Sequence, residues 1–268
     1  DTSGCDNPIA SYDLVKTMRA SFYILGPLMS RFNYAEVSLP GGCAWGPRPV
    51  NFHLKALEQL GAKVTLKDGM IISKGKLKGA LISFEISSVG ATGNTIMAAV
   101  TAEGRTIIKN AAQEPDIAEL CVFLNKMGAD IQGHGSNEII IQGKSELHAG
   151  IEYNIIPDRI EAGTFLMAAA ITKGDLILKN VQPNHMKIVL KYLKLAGMKL
   201  EINKDTIHIM AKHTSITPVD METEIYPGFP TDLQAQWMVF MTQANGSSII
   251  TENIYTDRFT HIPELSRF

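Results

Sequence analysis

A repeated α/β fold is the class this sequence predicts, and three observations carry it. Glycines that follow apolar helical stretches recur at a period of about 70 residues: Gly61, Gly128 and Gly197 stand 67 and 69 residues apart. Each is followed by two short alternating stretches with a turn signal between them, the pattern of a β-hairpin. Between these lies a second periodic segment, an apolar helix followed by a turn and a strand, aligned at Gly104, Gly174 and Gly246.

Taken in chain order, "YDLVKTMRASFYILGPLMSRFNYAEVSL" reads as helix leading into strand and ends at a Gly/Pro-rich loop. "FHLKALEQLGAKVTLKDGMIIS" is a helix, a cap at Gly61 and a hairpin turned at Asp68-Gly69. "SVGATGNTIMAAVTAEGRTIIKNAA" is an apolar helix and a strand, and "IAELCVFLNKMGADIQGHGSNEIII" repeats the helix–cap–hairpin with its turn in Gly133–Asn137. Its stripe of Ile117, Leu120, Cys121 and Leu124 has helical spacing. "PDRIEAGTFLMAAAITKGDLILKNV" and "MKIVLKYLKLAGMKLEINKDTIHIM" run through the same cycle, with a turn at Asn203–Asp205. "FPTDLQAQWMVFMTQANGSSIITEN" starts it again. The unit is helix, strand, helix, strand, strand, present about three and a half times. Runs such as "TFLMAAAI" and "TIMAAV" are apolar on more than one side, which suits helices covered by sheets. An open solenoid is the rival architecture.

Composition narrows the function. Of 268 residues, 45% are hydrophobic and 19% charged, which suits a globular chain of two ordinary domains or one large one. A net charge of −2 argues against general nucleic-acid affinity or a polybasic membrane face. No apolar run approaches the roughly 18–20 residues that span a bilayer, and no signal-peptide pattern opens the chain. Three scattered cysteines and no C-x-x-C or His/Cys cluster argue against disulfides or zinc, so a cytoplasmic protein with free thiols is expected. The start at Asp1 and the stop at "HIPELSRF" suggest a piece of something longer.

The chemistry-bearing stretch is "VSLPGGCAWGPRPVNFH", Val37–His53. It places Cys43 in a Gly/Pro-rich loop, five residues before Arg48 and ten before His53. Free cysteine is usually a small core residue, but a loop beside cations favours a reactive thiolate. Cys121 falls on a helix stripe and reads as core, and Cys5 is uninformative. Arg19, Arg48, Arg159 and Arg258 recur beside loops, where arginine can grip phosphate or carboxylate or merely be solvated. Ser88 opens a small-residue helix start, which suits an anion site or a plain N-cap. Asp232 in "GFPTDLQAQ" fits an N-cap or a catalytic carboxylate, and no basic residue is near it in sequence.

Together "YDLVKTMRAS", "LGPL", "VSLPGGCAWGPRPV", "SVGAT", "PDRIEAGTF", "FPTDLQAQ" and "DRFTHIPELSR" resemble the bacterial UDP-N-acetylglucosamine 1-carboxyvinyltransferase family of enolpyruvyl transferases. The resemblance covers nearly the whole chain. It implies a two-domain inside-out α/β barrel of repeated βαβαββ units, truncated here at both ends. Residues 1–156 would form the first domain, with its N-terminal unit incomplete and carrying the Cys43 loop. Residues 157–268 would form the second, without its last unit. It implies transfer of the enolpyruvyl group of phosphoenolpyruvate to the 3-hydroxyl of UDP-N-acetylglucosamine, at the start of peptidoglycan synthesis, in the cytoplasm.

On the same resemblance, Cys43 is the proton donor that adds to phosphoenolpyruvate and the thiol alkylated by fosfomycin. Arg48 helps bind phosphate, Asp232 is the acid/base near the sugar hydroxyl, and Arg258 lies nearby. Arg19, Arg48, Pro49, Val50, Asn51, Phe52, Ser87, Ser88, Val89, Asp232 and Ile254 would line the UDP-sugar site. The reaction calls for neither a metal nor an organic cofactor, and neither nucleic acid nor membrane is an expected partner. Three departures bear on the nucleotide contacts: Asn51 where the family usually has Asp, Ile86 where many members have lysine, and one added residue in "GATGNTIM". The rivals are a 3-phosphoshikimate 1-carboxyvinyltransferase-like enzyme and a catalytically incomplete fragment that only binds nucleotide-sugar.

Overall fold

The computed structural model describes residues 4–16, 18–39, 50–255 and 257–267, with Arg19 described in its backbone alone. The chain divides into two compact units, Asp1–Asn154 and Ile155–Phe268.

The first unit holds two copies of one motif. The first copy runs β1 (Ile9–Ala10), α1 (Tyr12–Val15), a 3-10 turn (Arg19–Ile24), α2 (Leu25–Phe32), β2 (Tyr34–Ser38), α3 (Asn51–Gln59), β3 (Lys63–Lys67) and β4 (Met70–Lys74). The second runs β5 (Leu81–Ser83), α4 (Val89–Ala99), β6 (Arg105–Lys109), α5 (Pro115–Lys126), β7 (Asp130–Gln132) and β8 (Glu138–Gln142). Their sheets have the same topology, β1-β2-β4-β3 and β5-β6-β8-β7, with the first pair parallel and the others antiparallel.

The second unit repeats the theme with α6 (Arg159–Ile171), β9 (Asp175–Lys179), a 3-10 turn (Pro183–Met186), α7 (Lys187–Leu195), β10 (Lys199–Ile202) and β11 (Thr206–Met210), in a sheet ordered β10-β11-β9. Another copy begins with β12 (Met221–Glu222), a 3-10 turn (Thr231–Leu233), α8 (Gln234–Met241) and β13 (Ile250–Thr251), before a last short helix, α9 (Ile262–Leu265). β12 pairs parallel with β13.

Periodicity alone predicted helix–strand–helix–strand–strand. The structure adds an opening strand to three copies, β1, β5 and β12. Two or three residues are too few for an alternation to register, yet each hydrogen-bonds in parallel with the strand that follows its helix.

The three cap glycines do the same work in each copy. Gly61, Gly128 and Gly197 all have φ near +90°. The next residue returns its N–H to the carbonyl five positions back: Ala62 to Leu57, Ala129 to Leu124 and Met198 to Leu193, each at 3.0 Å. This is a Schellman stop, and it turns the chain from helix into hairpin. The first hairpin turns at Asp68 (φ 50°) and Gly69 (φ 75°), the double positive-φ pair of a two-residue tight turn.

Helices lie within and sheets outside in each unit. In α4 every residue from Ala91 to Ile96 is buried, as are Ala98 and Ala99, and α2 and α3 both pack on it. The sheets alternate instead: Thr106 and Ile108 of β6 are buried while Arg105 and Lys109 are exposed. In the second unit α6 packs on α8, and Phe229, Trp237 and Phe240 are at most 1% exposed in its core. This is the inside-out α/β arrangement, and it sets the open solenoid aside.

Two backbones approach closely at the centre of the first unit. A Cβ on Gly26 of α2 would stand 2.4 Å from the carbonyl oxygen of Asn94 in α4, so only glycine fits. Ile24 precedes α2 and cannot cap it. The side chain of Asn94, 68 residues further on, accepts the Gly26 N–H at 2.7 Å instead.

Candidate active site

The expected site residues fall in both units, and each group has its own geometry. In the first unit, Cys43, Arg48 and Pro49 lie outside the described residues, as does the Arg19 side chain. The described flanks of the loop are anchored. Leu39 donates its N–H to Gly69 O at 2.9 Å, and Val50 occupies the N-cap position of α3.

From Val50 the chain enters α3 beside the start of α4. Asn51 is exposed, and Phe52 meets Phe84 edge-on at 6.2 Å between ring centroids. His53 Nδ1 lies 3.0 Å from Asn94 Nδ2, and its ring is edge-on to Phe22 at 5.0 Å. A Cβ on Gly90 would stand 3.1 Å from His53, so the small residue at the second position of α4 lets the two helix starts meet. Ser87, Ser88 and Val89 are half-buried there. Ser88 is an N-cap, accepting the Ala91 N–H at 3.3 Å, while its hydroxyl proton remains available as a donor. The structure therefore brings Val50–Phe52 and Ser87–Val89 to one corner, where two helix N-termini present positive dipole ends. Ile86, 65% exposed, adds an apolar surface to that corner rather than a charge.

The 3-10 turn that Arg19 opens reaches the same helix. Tyr23 packs so closely on α4 that a Cβ on Gly93 would lie 2.8 Å from its ring, and the Phe22 carbonyl accepts from Asn94 Nδ2 at 3.1 Å. Asn94 thus ties this turn, α2 and α3 to α4. Sequence reasoning passed over it, as it did His53's part in the network, because a polar residue in an apolar run gives no local sign of its partners.

In the second unit Asp232 is not an N-cap. Pro230 holds the cap position of the 3-10 turn, Asp232 is its middle residue, and neither that turn nor α8 has a side-chain cap. The absence of a basic neighbour in sequence does not survive folding either. Arg258, 26 residues on, donates from Nη2 to Asp232 Oδ1 at 2.8 Å and from Nη1 to Thr231 Oγ1 at 3.1 Å. The Arg258 side chain is 19% exposed and that of Asp232 55%, so Asp232 keeps a face open to a ligand.

Behind this pair Glu252 organises the loop that carries Ile254 and Arg258. Its Oε1 accepts from Thr223 Oγ1 at 2.8 Å, Ile254 N at 2.8 Å and Tyr255 N at 2.9 Å, and its Oε2 accepts from Thr231 Oγ1 at 3.0 Å. Thr231 therefore links Glu252 to Arg258. Thr223, Thr231 and Glu252 were not singled out in the sequence, because nothing local marks contacts that span about 20–30 residues.

Cys121 lies in the apolar core as its stripe predicts, fully buried, and burial pushes its thiol up to about 12. Cys5 is exposed. Among the described residues no group of three or more His, Cys, Asp or Glu is placed to hold a metal ion, and no helix is long and apolar enough to cross a membrane.

This arrangement has relatives. The crystal structure of the enolpyruvyl transferase NikO from Streptomyces tendae matches with a TM-score of 0.87 at 22% identity, covering 99% of this chain and 63% of that one. An EPSP synthase structure from Acinetobacter baumannii matches with a TM-score of 0.64 at 21% identity, covering 91% and 58%. These likenesses show the fold. In sequence, a UDP-N-acetylglucosamine 1-carboxyvinyltransferase of Chlorobium chlorochromatii is 55% identical over 99% of this chain. Its namesakes in Chlorobium luteolum and Pelodictyon phaeoclathratiforme are 54% and 55% identical over 99% and 96%. The chain spans 61–63% of the length of these relatives. The profile of the EPSP synthase (3-phosphoshikimate 1-carboxyvinyltransferase) family matches residues 2–268, and the chain belongs to that family.

Proposed function

We propose that this chain carries the core of an enzyme that transfers the enolpyruvyl group of phosphoenolpyruvate to the 3-hydroxyl of UDP-N-acetylglucosamine. The observation that carries this reading is 55% identity, over 99% of the chain, to a relative named for that activity. The two compact units are read as the two enolpyruvyl-transferase domains. The setting is cytoplasmic peptidoglycan synthesis, and through it cell shape and division, with fosfomycin as a covalent inhibitor at Cys43.

The chemistry divides between two proton-handling groups. Asp232 accepts the proton of the sugar hydroxyl as its oxygen bonds to C2 of phosphoenolpyruvate, and Cys43 delivers a proton to C3. The adduct then loses a proton from C3 and expels inorganic phosphate from C2, which restores the double bond. Arg48 offsets phosphate charge. Arg258, paired with Asp232 and braced by Thr231, holds the base in orientation. Val50–Phe52 and Ser87–Val89 receive the nucleotide end, with helix N-termini facing the diphosphate. Asn51 in place of a carboxylate changes the base contact from acceptor-only to a mixed donor and acceptor.

The test uses this chain and a version extended at both ends to its relatives' length. Phosphate release is measured with phosphoenolpyruvate and either UDP-N-acetylglucosamine or 3-phosphoshikimate. Turnover in the extended protein with the nucleotide-sugar alone is expected, with Cys43→Ser and Asp232→Asn each losing about 10²-fold or more. Turnover with 3-phosphoshikimate alone refutes the substrate assignment. Binding of the nucleotide-sugar without turnover in the extended protein refutes the enzymatic reading.

A further inference from the structure

Arg159 is the loop-side arginine that the proposed reaction leaves unused, and it borders a cavity of its own. The second unit contains a recess of about 310 Å³ lined by Arg159, His185, Lys187, Tyr226, Gly228 and Leu233, among others. Arg159 begins α6, and its guanidinium lies against the Tyr226 ring, 5.5 Å from the centroid. The ring fixes the plane of the fork. The Arg159 Nε is buried and has no hydrogen-bond partner among the described residues. A buried charged donor without an acceptor keeps its full desolvation penalty.

The charge around the recess is one-sided. No Asp or Glu belongs to its lining. Asp158, the neighbouring carboxylate, is occupied as the α6 cap and accepts from Ile160 N at 2.7 Å and Glu161 N at 3.2 Å. Lys187, at the start of α7, makes no ion pair with a described carboxylate. Glu224 packs on Gly228 without entering the lining.

We infer that this recess binds a small oxyanion, the phosphate or carboxylate group of a metabolite, with the Arg159 guanidinium and the Lys187 ammonium as its donors. A planar fork held against a ring matches two oxygens of such a group. The volume admits the anion and a small organic body attached to it. Pro230, which precedes the turn carrying Asp232, and Leu233, which ends it, form part of the wall, so the anion rests against that turn. The inference does not depend on the proposed reaction.

The test follows the Arg159 side chain by ¹⁵N NMR, its Nε–H resonance being identified by its loss in Arg159→Lys. Inorganic phosphate, acetate and chloride are titrated at constant ionic strength. Phosphate or acetate should move the resonance saturably and chloride should not, and whichever of the two acts names the anion class. Lys187→Gln, at an exposed position that leaves the fold intact, should weaken the apparent affinity about tenfold, equivalent to about 1.4 kcal/mol. Arg48→Gln should leave it unchanged, which separates this recess from the phosphate site of the proposed reaction. No saturable movement, equal movement with chloride, indifference to Lys187→Gln, or loss of the response in Arg48→Gln would overturn the inference.

Discussion

Replacing Asn94 by alanine should cost the first unit about 2–5 kcal/mol. The side chain is 4% exposed and makes three contacts: it accepts Gly26 N–H at 2.7 Å, and its amide nitrogen lies 3.1 Å from Phe22 O and 3.0 Å from His53 Nδ1. Alanine leaves a helix-start N–H buried and unpaired, at about 1–3 kcal/mol, and removes two further hydrogen bonds, to His53 and to a Phe22 carbonyl that keeps the Leu25 N–H, at about 0.5–1.5 kcal/mol each. The lost volume is small, so the polar groups dominate. Urea unfolding followed by far-UV circular dichroism measures the loss. With a slope of about 2–3 kcal/mol per molar, the midpoint of the first unit's transition should fall by roughly 1–2 M at unchanged slope. Amide exchange at Gly26 should speed up in parallel. Asn94→Asp should also destabilise, because it keeps an acceptor for Gly26 but sets an oxygen against Phe22 O. A loss below about 1 kcal/mol in Asn94→Ala, or unchanged exchange at Gly26, would refute the claim that this side chain caps α2 from a distance.

Further outcomes follow from the same geometry. Gly26→Ala gains up to about 1 kcal/mol of helix propensity, but the added Cβ meets the Asn94 carbonyl. Net destabilisation of about 1–3 kcal/mol is expected in the same urea titration, and a stabilised variant contradicts the close packing of α2 on α4. Peptide mapping after fosfomycin should find label on Cys43 and essentially none on Cys121, whose thiol, pushed up to about 12 by burial, stays protonated at neutral pH; label mainly on Cys121 contradicts both assignments. His208 makes stability depend on pH. Its Nε2 hydrogen-bonds Asp175 Oδ1 at 2.7 Å, and this bond, opposed by partial burial and aided by Glu201, raises its pKa above the ordinary value. A raised folded value means the contribution is complete below about pH 6.5 and fades as pH climbs through the folded value. The stability gap between wild type and His208→Gln should therefore be wider at acid than at alkaline pH, and a gap independent of pH refutes the pairing.

Much of this protein is legible in its residues because the signals are local. A helix stripe, a glycine two residues past the helix end and a turn pair all act within about ten positions, so periodicity and backbone preference expose them. That is why the three Schellman stops, the Asp68-Gly69 turn and the place of Cys121 in the core could be read directly. The Ser88 cap was legible for the same reason. What folding alone decided is held by long-range pairs. Asp232 has no basic neighbour in sequence, and only the family resemblance set Arg258 near it; folding brings the two within 2.8 Å. Its N-cap reading failed because Pro230, two residues earlier, holds the cap position. The short strands β1, β5 and β12 exist only through the neighbours they hydrogen-bond. Asn94 reads as a flaw in an apolar helix, yet once buried it must find partners, and it does so with Gly26 and Phe22, more than sixty residues earlier in the chain.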